Sequence, residues 1–206
     1  PFVCLVASGG HSHIVLVEDY CRFSLLGRTR DDAAGEAFDK VARALGLPYP
    51  GGPALEALAK EGDPQAHRFR MGLSEDDSFD FSFSGVKTAV VNLLHTAGQR
   101  GEQVRRADVA ASFQKAVVDA LCAKSVRAAG TAGVSTLALA GGVSANATLR
   151  EALRQRAEAA GLRFCVPEPG LCADNAAMIA CAGHYALLCG APDPLSINAH
   201  PSRELA

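Results

Sequence analysis

The chain begins with three apolar runs that are typical of β-strands. "FVCLV" and "HIVLVED" are separated by the turn that holds Gly9 and Gly10, and "CRFSLLGRT" follows them. Branched and aromatic residues on both sides of a glycine pair predict a hairpin. The third run extends the hairpin to a meander, so the first part of the chain is predicted to form an antiparallel sheet.

The stretch after the meander changes to a helical period. Its apolar positions recur at i, i+3, i+4 and i+7: Phe38, Val41, Ala42 and Leu45. This spacing places them on one face of a helix. Asp31 or Asp32 is expected to cap the start of that helix, and Gly46 and Pro48 are expected to end it.

The second half alternates between helices and strands. A short helix is predicted over residues 53–61, a polar crossing without a clear period follows, and a long amphipathic helix is predicted from Asp108 to about Ala129. Strand "STLALA", helix "NATLREALRQRAEAAG", strand "LRFCVP" and helix "DNAAMIACAGHYALLCG" come next. Strands and helices in one alternating order predict α/β layers.

Composition narrows the class of protein. With 206 residues and 49% hydrophobic content, one domain with one sizeable core is expected. The 20 Lys and Arg against 22 Asp and Glu give a net charge of −2, so a polyanion would have to meet a local basic patch. No apolar run approaches the ~18 residues of a membrane span and no secretory signal is present. We therefore expect a cytoplasmic protein without a membrane partner.

The seven cysteines predict neither a disulfide framework nor a structural zinc site. Their number is odd, and no Cys-x-x-Cys pair occurs among them. Most lie in apolar surroundings, as Cys4 and Cys181 do, where a free cysteine behaves as a small core residue.

The segment "LALAGGVSANATLREAL" is the first candidate for chemistry. A predicted buried strand runs into Gly141 and Gly142 and then into a helix whose cap is Ser144 or Asn146. Backbone N–H groups at such a helix start can bind an anion or a nucleotide. The same pattern also fits an ordinary strand-to-helix turn in which Asn146 only caps, and the pattern alone leaves both interpretations open.

Two carboxylates are further candidates. Asp174, with Asn175, precedes the last predicted helix, where it can cap that helix or bind a hard metal ion. Asp39 lies beside the apolar stripe of its helix and has no i, i+4 partner, so it can accept a ligand hydroxyl or simply be solvated. His11 and His13 alternate across a strand start and do not make a metal site by themselves.

Five motifs together carry a resemblance to a known family. They are "SGGHSHIVLV", "DDAAGEAFDKVARALGLPYPGGP", "DFSFSGVKTAV", "LALAGGVSANATLREAL" and "CADNAAMIACAG". In this order and over nearly the whole chain, they resemble the TsaD family of tRNA threonylcarbamoyladenosine biosynthesis proteins. The resemblance implies the actin-like, sugar-kinase and heat-shock ATPase superfold, in which two ribonuclease-H-like lobes flank a nucleotide cleft.

The resemblance also implies site residues. The positions matched to substrate binding are Val6, Ala7, Ser8, Gly9, Gly10, Asp39, Gly52 and Asn146. Those from Val6 to Gly10 correspond to a loop that faces the substrate phosphate and a metal, with Ala7 in place of the usual valine. The other three correspond to positions that bind the nucleoside portion, and Asp174 corresponds to a carboxylate metal ligand.

The implied reaction is an acyl transfer. The threonylcarbamoyl group moves from threonylcarbamoyl-AMP to N6 of an adenosine adjacent to the anticodon of tRNA, without a side-chain nucleophile. The implied cofactor is one divalent metal ion, iron or zinc, and the implied nucleotide ligand is threonylcarbamoyl-AMP or ATP/AMP. The implied partners are tRNA and other proteins of the pathway, TsaB-like and TsaE-like.

The sequence lacks one motif of the family, and its absence predicts which part of the family fold this chain contains. The family's other two metal ligands are histidines of a His-x-x-x-His helix upstream of the "SGGH" loop, and this sequence contains no such pair. Residues 1–206 are therefore expected to form one domain, the second lobe plus a C-terminal helical segment. The N-terminal lobe is expected to be missing, the metal site to be incomplete, and activity to need that lobe.

Three alternatives stay open from the sequence. A non-catalytic scaffold paralogue of the same fold would not need the metal ligands. A metalloprotease would need a His-Glu-x-x-His helix, which the sequence lacks. An ATP-dependent kinase of the same superfold is not distinguished by fold alone.

Overall fold

A five-stranded mixed sheet forms the centre of the protein in a computed structural model that describes residues 1–73, 76–190, 194 and 196–198. The strands are β1 (Phe2–Ala7), β2 (Ser12–Asp19), β3 (Arg22–Arg28), β4 (Thr136–Ala140) and β5 (Arg163–Cys165). Their order across the sheet is β3-β2-β1-β4-β5.

The first three strands form the predicted antiparallel meander, and the last two run parallel to β1. Cys4 of β1 lies opposite Val15 of β2 and beside Ala138 of β4. Parallel neighbours need a crossover connection, which the helices between β3 and β4 and between β4 and β5 supply. The α/β class and the ribonuclease-H-like arrangement expected from the sequence are confirmed.

Within the described residues, six α-helices accompany the sheet. They are α1 (Ala34–Ala44), α2 (Gly51–Ala59), α3 (Ser84–Arg100), α4 (Arg106–Thr131), α5 (Ala147–Ala159) and α6 (Ala176–Cys189). The sequence pattern does not predict α3, because only three of its 17 residues are buried and its apolar stripe is thin.

The core lies between β1, β4 and the helices α1 and α4. Phe38 of α1 meets Phe113 of α4 edge to face, with ring centroids 5.3 Å apart, and both side chains are buried. Leu5 and Leu139 bring the two parallel strands into the same cluster. Each such side chain contributes about 1.5–3 kcal/mol by leaving water, so this packing holds α1 against α4, and α4 against β1 and β4.

The predicted cap of α1 is wrong. Asp31 lies instead at the start of α3, where its Oδ1 accepts hydrogen bonds from the N–H groups of Phe83 (2.7 Å) and Ser84 (3.2 Å). The start of α1 is held by β2, because the Ala34 N–H donates to Ser12 Oγ at 2.9 Å. A contact between two distant segments therefore replaces the local cap.

The cysteines depart from the prediction at one pair. Cys4 and Cys122 are buried as expected, and burial raises the pKa of each thiol to about 12. Cys21 and Cys189, however, form a disulfide bond across 168 residues of sequence. Cys181 is exposed rather than part of the core.

Helix α6 is attached to the sheet through the β2–β3 turn. Besides the disulfide bond, the ring of Tyr185 stacks on that of Tyr20 with centroids 3.6 Å apart. None of the residues of α6 is buried. Within the described residues, no helix combines the length and the apolar character that a membrane span needs.

Candidate functional site

The carboxyl ends of β1 and β4 lie side by side and bring two loops together. Gly141, directly after β4, has a φ of +89°. A Cβ at this position would collide with the Ala7 carbonyl group, 2.8 Å from its carbon. Only glycine fits both the backbone conformation and the close approach. The loop after β1 and the 3-10 turn Gly142–Ala145 are therefore neighbours at an edge where α/β sheets commonly bind ligands.

The loop after β1 is folded around Ser8. The Ser8 N–H donates to the His11 carbonyl at 2.8 Å, and Ser8 Oγ accepts from the N–H groups of Gly10 (3.3 Å) and His11 (2.9 Å). The Gly35 N–H at the start of α1 donates to the Ser8 carbonyl at 3.1 Å. Among the described residues, the Gly9 N–H has no acceptor, so it is the one main-chain donor of Gly9 and Gly10 that stays open.

Asp39 connects α1 to the start of α2. Its Oδ1 accepts from the N–H groups of Gly51 (2.8 Å) and Gly52 (3.2 Å), which satisfies two donors at the helix start. A Cβ at Gly51 would lie 2.7 Å from the Ala42 Cβ, so glycine permits this contact. Asp39 Oδ2 has no hydrogen-bond partner among the described residues and stays available as an acceptor.

Asn146 caps α5 and is itself held by α4. Its Oδ1 accepts from the Leu149 N–H at 2.8 Å, and its Nδ2 donates to Gln114 Oε1 at 3.0 Å. Gln114 in turn donates to Thr148 Oγ1 at 3.0 Å. The cap expected at Ser144 or Asn146 is therefore Asn146, and one amide hydrogen of that side chain is not used within this network.

A cavity of about 170 Å³ lies where these segments meet. Its lining comes from the β1 loop, α1, the start of α2 and the turn after β4: Gly9, Gly35, Phe38, Asp39, Pro50, Gly52, Pro53, Gly142, Val143, Ala145 and Asn146. Four residues singled out in the sequence, Gly9, Asp39, Gly52 and Asn146, thus face one space. Val6 and Ala7 belong to β1 and are not part of the lining, and neither is the exposed Gly10.

Asp174 does not line this cavity. It is exposed in the segment between the 3-10 turn Pro169–Leu171 and α6, and the cap of α6 is Asn175, whose Oδ1 accepts from the Met178 N–H at 3.0 Å. In the described part of the chain, no three His, Cys, Asp or Glu side chains are arranged to hold a metal ion. The residues present therefore do not fit a complete metal site.

Charged side chains join α1 to α3 through Asp32, which precedes α1. Asp32 accepts hydrogen bonds from Lys40 and Lys87, each at 2.8 Å. Partial burial acts to raise the pKa of Asp32, but these two lysines outweigh it and lower the pKa below its ordinary value. Asp32 is therefore ionised at neutral pH. The pKa of His13 is lowered by burial and by the nearby His11 and Arg28, which favours the neutral imidazole.

Two residues that support the site are not among the candidates predicted from the sequence. Gln114 interrupts the buried apolar face of α4 beside Phe113 and holds Asn146. Ser12 is fully buried in β2 and receives the N–H of Ala34. A polar residue within a predicted apolar stripe is the signal that could have identified Gln114.

Comparisons with known proteins agree with the motifs. The family model described as TsaD, tRNA N6-adenosine threonylcarbamoyltransferase, matches residues 1–181. A tRNA N6-adenosine threonylcarbamoyltransferase of Moorella thermoacetica is 56% identical over 205 residues, and one of Clostridium perfringens is 51% identical over 205 residues. Each match covers 100% of this chain and 60% of the relative, so the chain spans about 60% of the length of these proteins.

Two solved structures share the fold. Full-length HypF in its phosphate- and nucleotide-bound form aligns with a TM-score of 0.67 and 13% identity, over 92% of this chain and 34% of that chain. HypF of T. kodakarensis aligns with a TM-score of 0.57 and 24% identity, over 82% of this chain and 21% of that chain. At these identities the likeness concerns the fold alone.

The contact between Gly141 and Ala7 gives a stability prediction with a neighbouring control. Gly141→Ala should lower the free energy of unfolding by more than about 2 kcal/mol, because it forces a side chain into a positive φ and against a carbonyl group. Gly142→Ala should change it by less than about 0.5 kcal/mol, because nothing lies within 4 Å of the added Cβ. Urea unfolding of both variants measures the difference. Equal stabilities would show that the close approach of Gly141 to Ala7 does not require glycine.

Proposed function

The chain belongs to the TsaD family, and from that premise we propose that it forms the nucleotide-binding part of a tRNA N6-adenosine threonylcarbamoyltransferase. The reaction is transfer of the threonylcarbamoyl group from threonylcarbamoyl-AMP to N6 of an adenosine adjacent to the anticodon. One observation carries the proposal: Gly9, Asp39, Gly52 and Asn146, from four separate segments, line one cavity.

The free groups of the cavity suit the nucleoside portion of the donor. Asp39 Oδ2 can accept a hydrogen bond from a ribose hydroxyl, and the unused amide hydrogen of Asn146 can be donated to an acceptor atom of the ligand. Nothing lies within 4 Å of the position that a Cβ at Gly52 would take, which leaves room for the ligand. At about 170 Å³ the cavity is smaller than the ~300 Å³ of a typical ligand pocket, so it would hold part of the nucleotide.

The loop after β1 would receive the phosphate group. The Gly9 N–H has no acceptor among the described residues, and the Ser8 hydroxyl accepts two hydrogen bonds without donating one to a described atom. Both can donate to phosphate oxygens. Donors that are already fixed in place stabilise the charge that develops on a leaving phosphate.

The proposed reaction depends on how the two substrates are positioned and does not need a reactive side chain. The lone pair of the acceptor N6 amine attacks the carbamoyl carbon of the mixed anhydride, and a new C–N bond forms. The bond from that carbon to the phosphate oxygen breaks, AMP leaves with its electron pair, and the amine loses a proton to solvent. The residues of this chain hold the AMP portion so that the carbamoyl carbon is presented in one orientation.

Asp174 is the one residue of this chain that is proposed to bind a metal ion. Proteins of the family bind a metal, and we propose iron or zinc, for which a carboxylate is an acceptable ligand. Among the described residues, no three possible ligands come together, so this chain would supply Asp174 to a site that is completed from elsewhere. The other ligands would have to come from the part of the relatives that this chain does not span.

The same premise extends to architecture and partners. We propose that residues 1–206 correspond to the second lobe of the two-lobed fold plus a C-terminal helical segment, acting in the cytoplasm with tRNA and with TsaB-like and TsaE-like proteins. The gathering of the four predicted residues around one cavity favours a transferase over a scaffold paralogue, which would have no use for a site. Residues 1–206 alone should show little or no transfer.

Asn146 gives a binding test that separates the ligand contact from the helix cap. Asn146→Ser keeps an acceptor for the Leu149 N–H but removes the amide donor, so in the full-length protein the affinity for AMP should fall by about 1–3 kcal/mol. Asn175→Ser changes the cap of α6, outside the cavity, and should leave the affinity unchanged. Titration calorimetry measures both, and equal affinities would return Asn146 to a purely structural role.

Asp174 gives a test of the metal ligand that does not depend on activity. In the full-length protein, Asp174→Ala should lower the content of bound iron or zinc, measured by elemental mass spectrometry, because a carboxylate ligand is lost. Asp19→Ala, an exposed carboxylate at the end of β2, should not change it. A normal metal content in the Asp174 variant would refute the assignment.

A further inference from the structure

A second cavity adjoins the first one. It measures about 460 Å³, and Gly9 and Asp39 line both spaces. Its remaining wall comes from the outer face of α1 and from the loop between α1 and α2: Glu36, Lys40, Arg43, Leu47, Pro48, Tyr49 and Gly51. The sequence motifs assign no role to this outer wall.

Arg43 carries the positive charge of this cavity that is not paired within the described residues. Lys40 is paired with Glu36 at 2.7 Å and with Asp32 at 2.8 Å, so its charge is balanced within the protein. Arg43, in the last turn of α1, is exposed, and its side chain takes part in no hydrogen bond or ion pair with another described residue. Its guanidinium group is therefore free to bind an anion such as a phosphate, which it can meet with two parallel hydrogen bonds.

Tyr49 provides an aromatic surface at the same cavity. Its side chain is 87% exposed, and no aromatic ring of the described residues stacks on it. A single exposed aromatic residue is not unusual. Here, however, the ring shares a cavity with a free guanidinium group and with the apolar side chains of Leu47 and Pro48. A stacking surface beside an unpaired cation is the combination that binds single-stranded nucleic acids.

We propose that this cavity binds an unpaired nucleotide of the acceptor RNA, with its base stacked on Tyr49 and its phosphate paired with Arg43. The inference rests on the proposed function and extends it, because the acceptor amine has to reach a donor held in the adjoining cavity. A volume of about 460 Å³ lies within the range of pockets that enclose a small ligand. The donor and the acceptor would then lie in two cavities that share Gly9 and Asp39.

Two readouts on the full-length protein test the proposal: the affinity for a tRNA transcript by fluorescence anisotropy, and the affinity for AMP by calorimetry. Tyr49→Ala should weaken tRNA binding about tenfold, and Tyr49→Phe, which keeps the ring, should stay within about twofold of the unmodified protein. Arg43→Gln should weaken tRNA binding and lower the slope of log affinity against log salt by about 0.7, as expected for one lost phosphate contact on a single strand. The affinity for AMP should not change in any of these variants.

Arg100→Gln is the matched control, since Arg100 is exposed at the end of α3 and does not line this cavity. It should alter neither affinity. Unchanged tRNA binding in both Tyr49→Ala and Arg43→Gln would overturn the proposal, as would a protein that does not bind the transcript at all. Loss of AMP affinity with unchanged tRNA binding would assign the cavity to the donor nucleotide instead.

A different result would contradict the proposed function without deciding the role of the second cavity. If the unmodified full-length protein binds AMP and tRNA but transfers no threonylcarbamoyl group, the transferase assignment is wrong. The binding data for Tyr49 and Arg43 still decide whether the second cavity holds RNA.

Discussion

The close approach of Gly141 to the Ala7 carbonyl is the contact on which the rest of the site depends. It joins the ends of two parallel strands that are more than 130 residues apart in sequence, and it leaves no space for a side chain. The loop around Ser8 and the turn that leads to Asn146 are neighbours because β1 and β4 pair side by side, and the glycine lets the two strand ends approach this closely. The cavity and the proposed chemistry both depend on these two segments being neighbours.

Two of the proposed ligand-binding side chains also hold the local structure together. Asp39 satisfies the start of α2 with one carboxylate oxygen and leaves the other free, and Asn146 caps α5 while it is held by Gln114. Side chains fixed in this way lose little conformational freedom when a ligand binds, which favours affinity. The same double use means that removing either side chain changes stability as well as binding. Substitutions that keep the cap are therefore the informative ones.

The sequence predicts what is local and misses what joins distant segments. The apolar runs of β1 and β4, the helical stripe around Phe38 and a helix cap at Asn146 depend on nearby spacing, and the structure contains all of them. The partner of Asp31 is at Phe83, that of Asp39 is at Gly51, and that of Cys21 is at Cys189. No periodicity encodes such pairs. The motif resemblance supplied candidate residues for the cavity, but their meeting in one space is visible only in three dimensions.

We propose that the cavity between Asp39 and Asn146 receives the nucleoside of the donor. A crystal structure of the full-length protein with bound AMP would show where the nucleotide lies. We expect a ribose hydroxyl within hydrogen-bond distance of Asp39 Oδ2 and the phosphate group at the Gly9 N–H. A nucleotide bound elsewhere, with this cavity filled only by solvent, would contradict it.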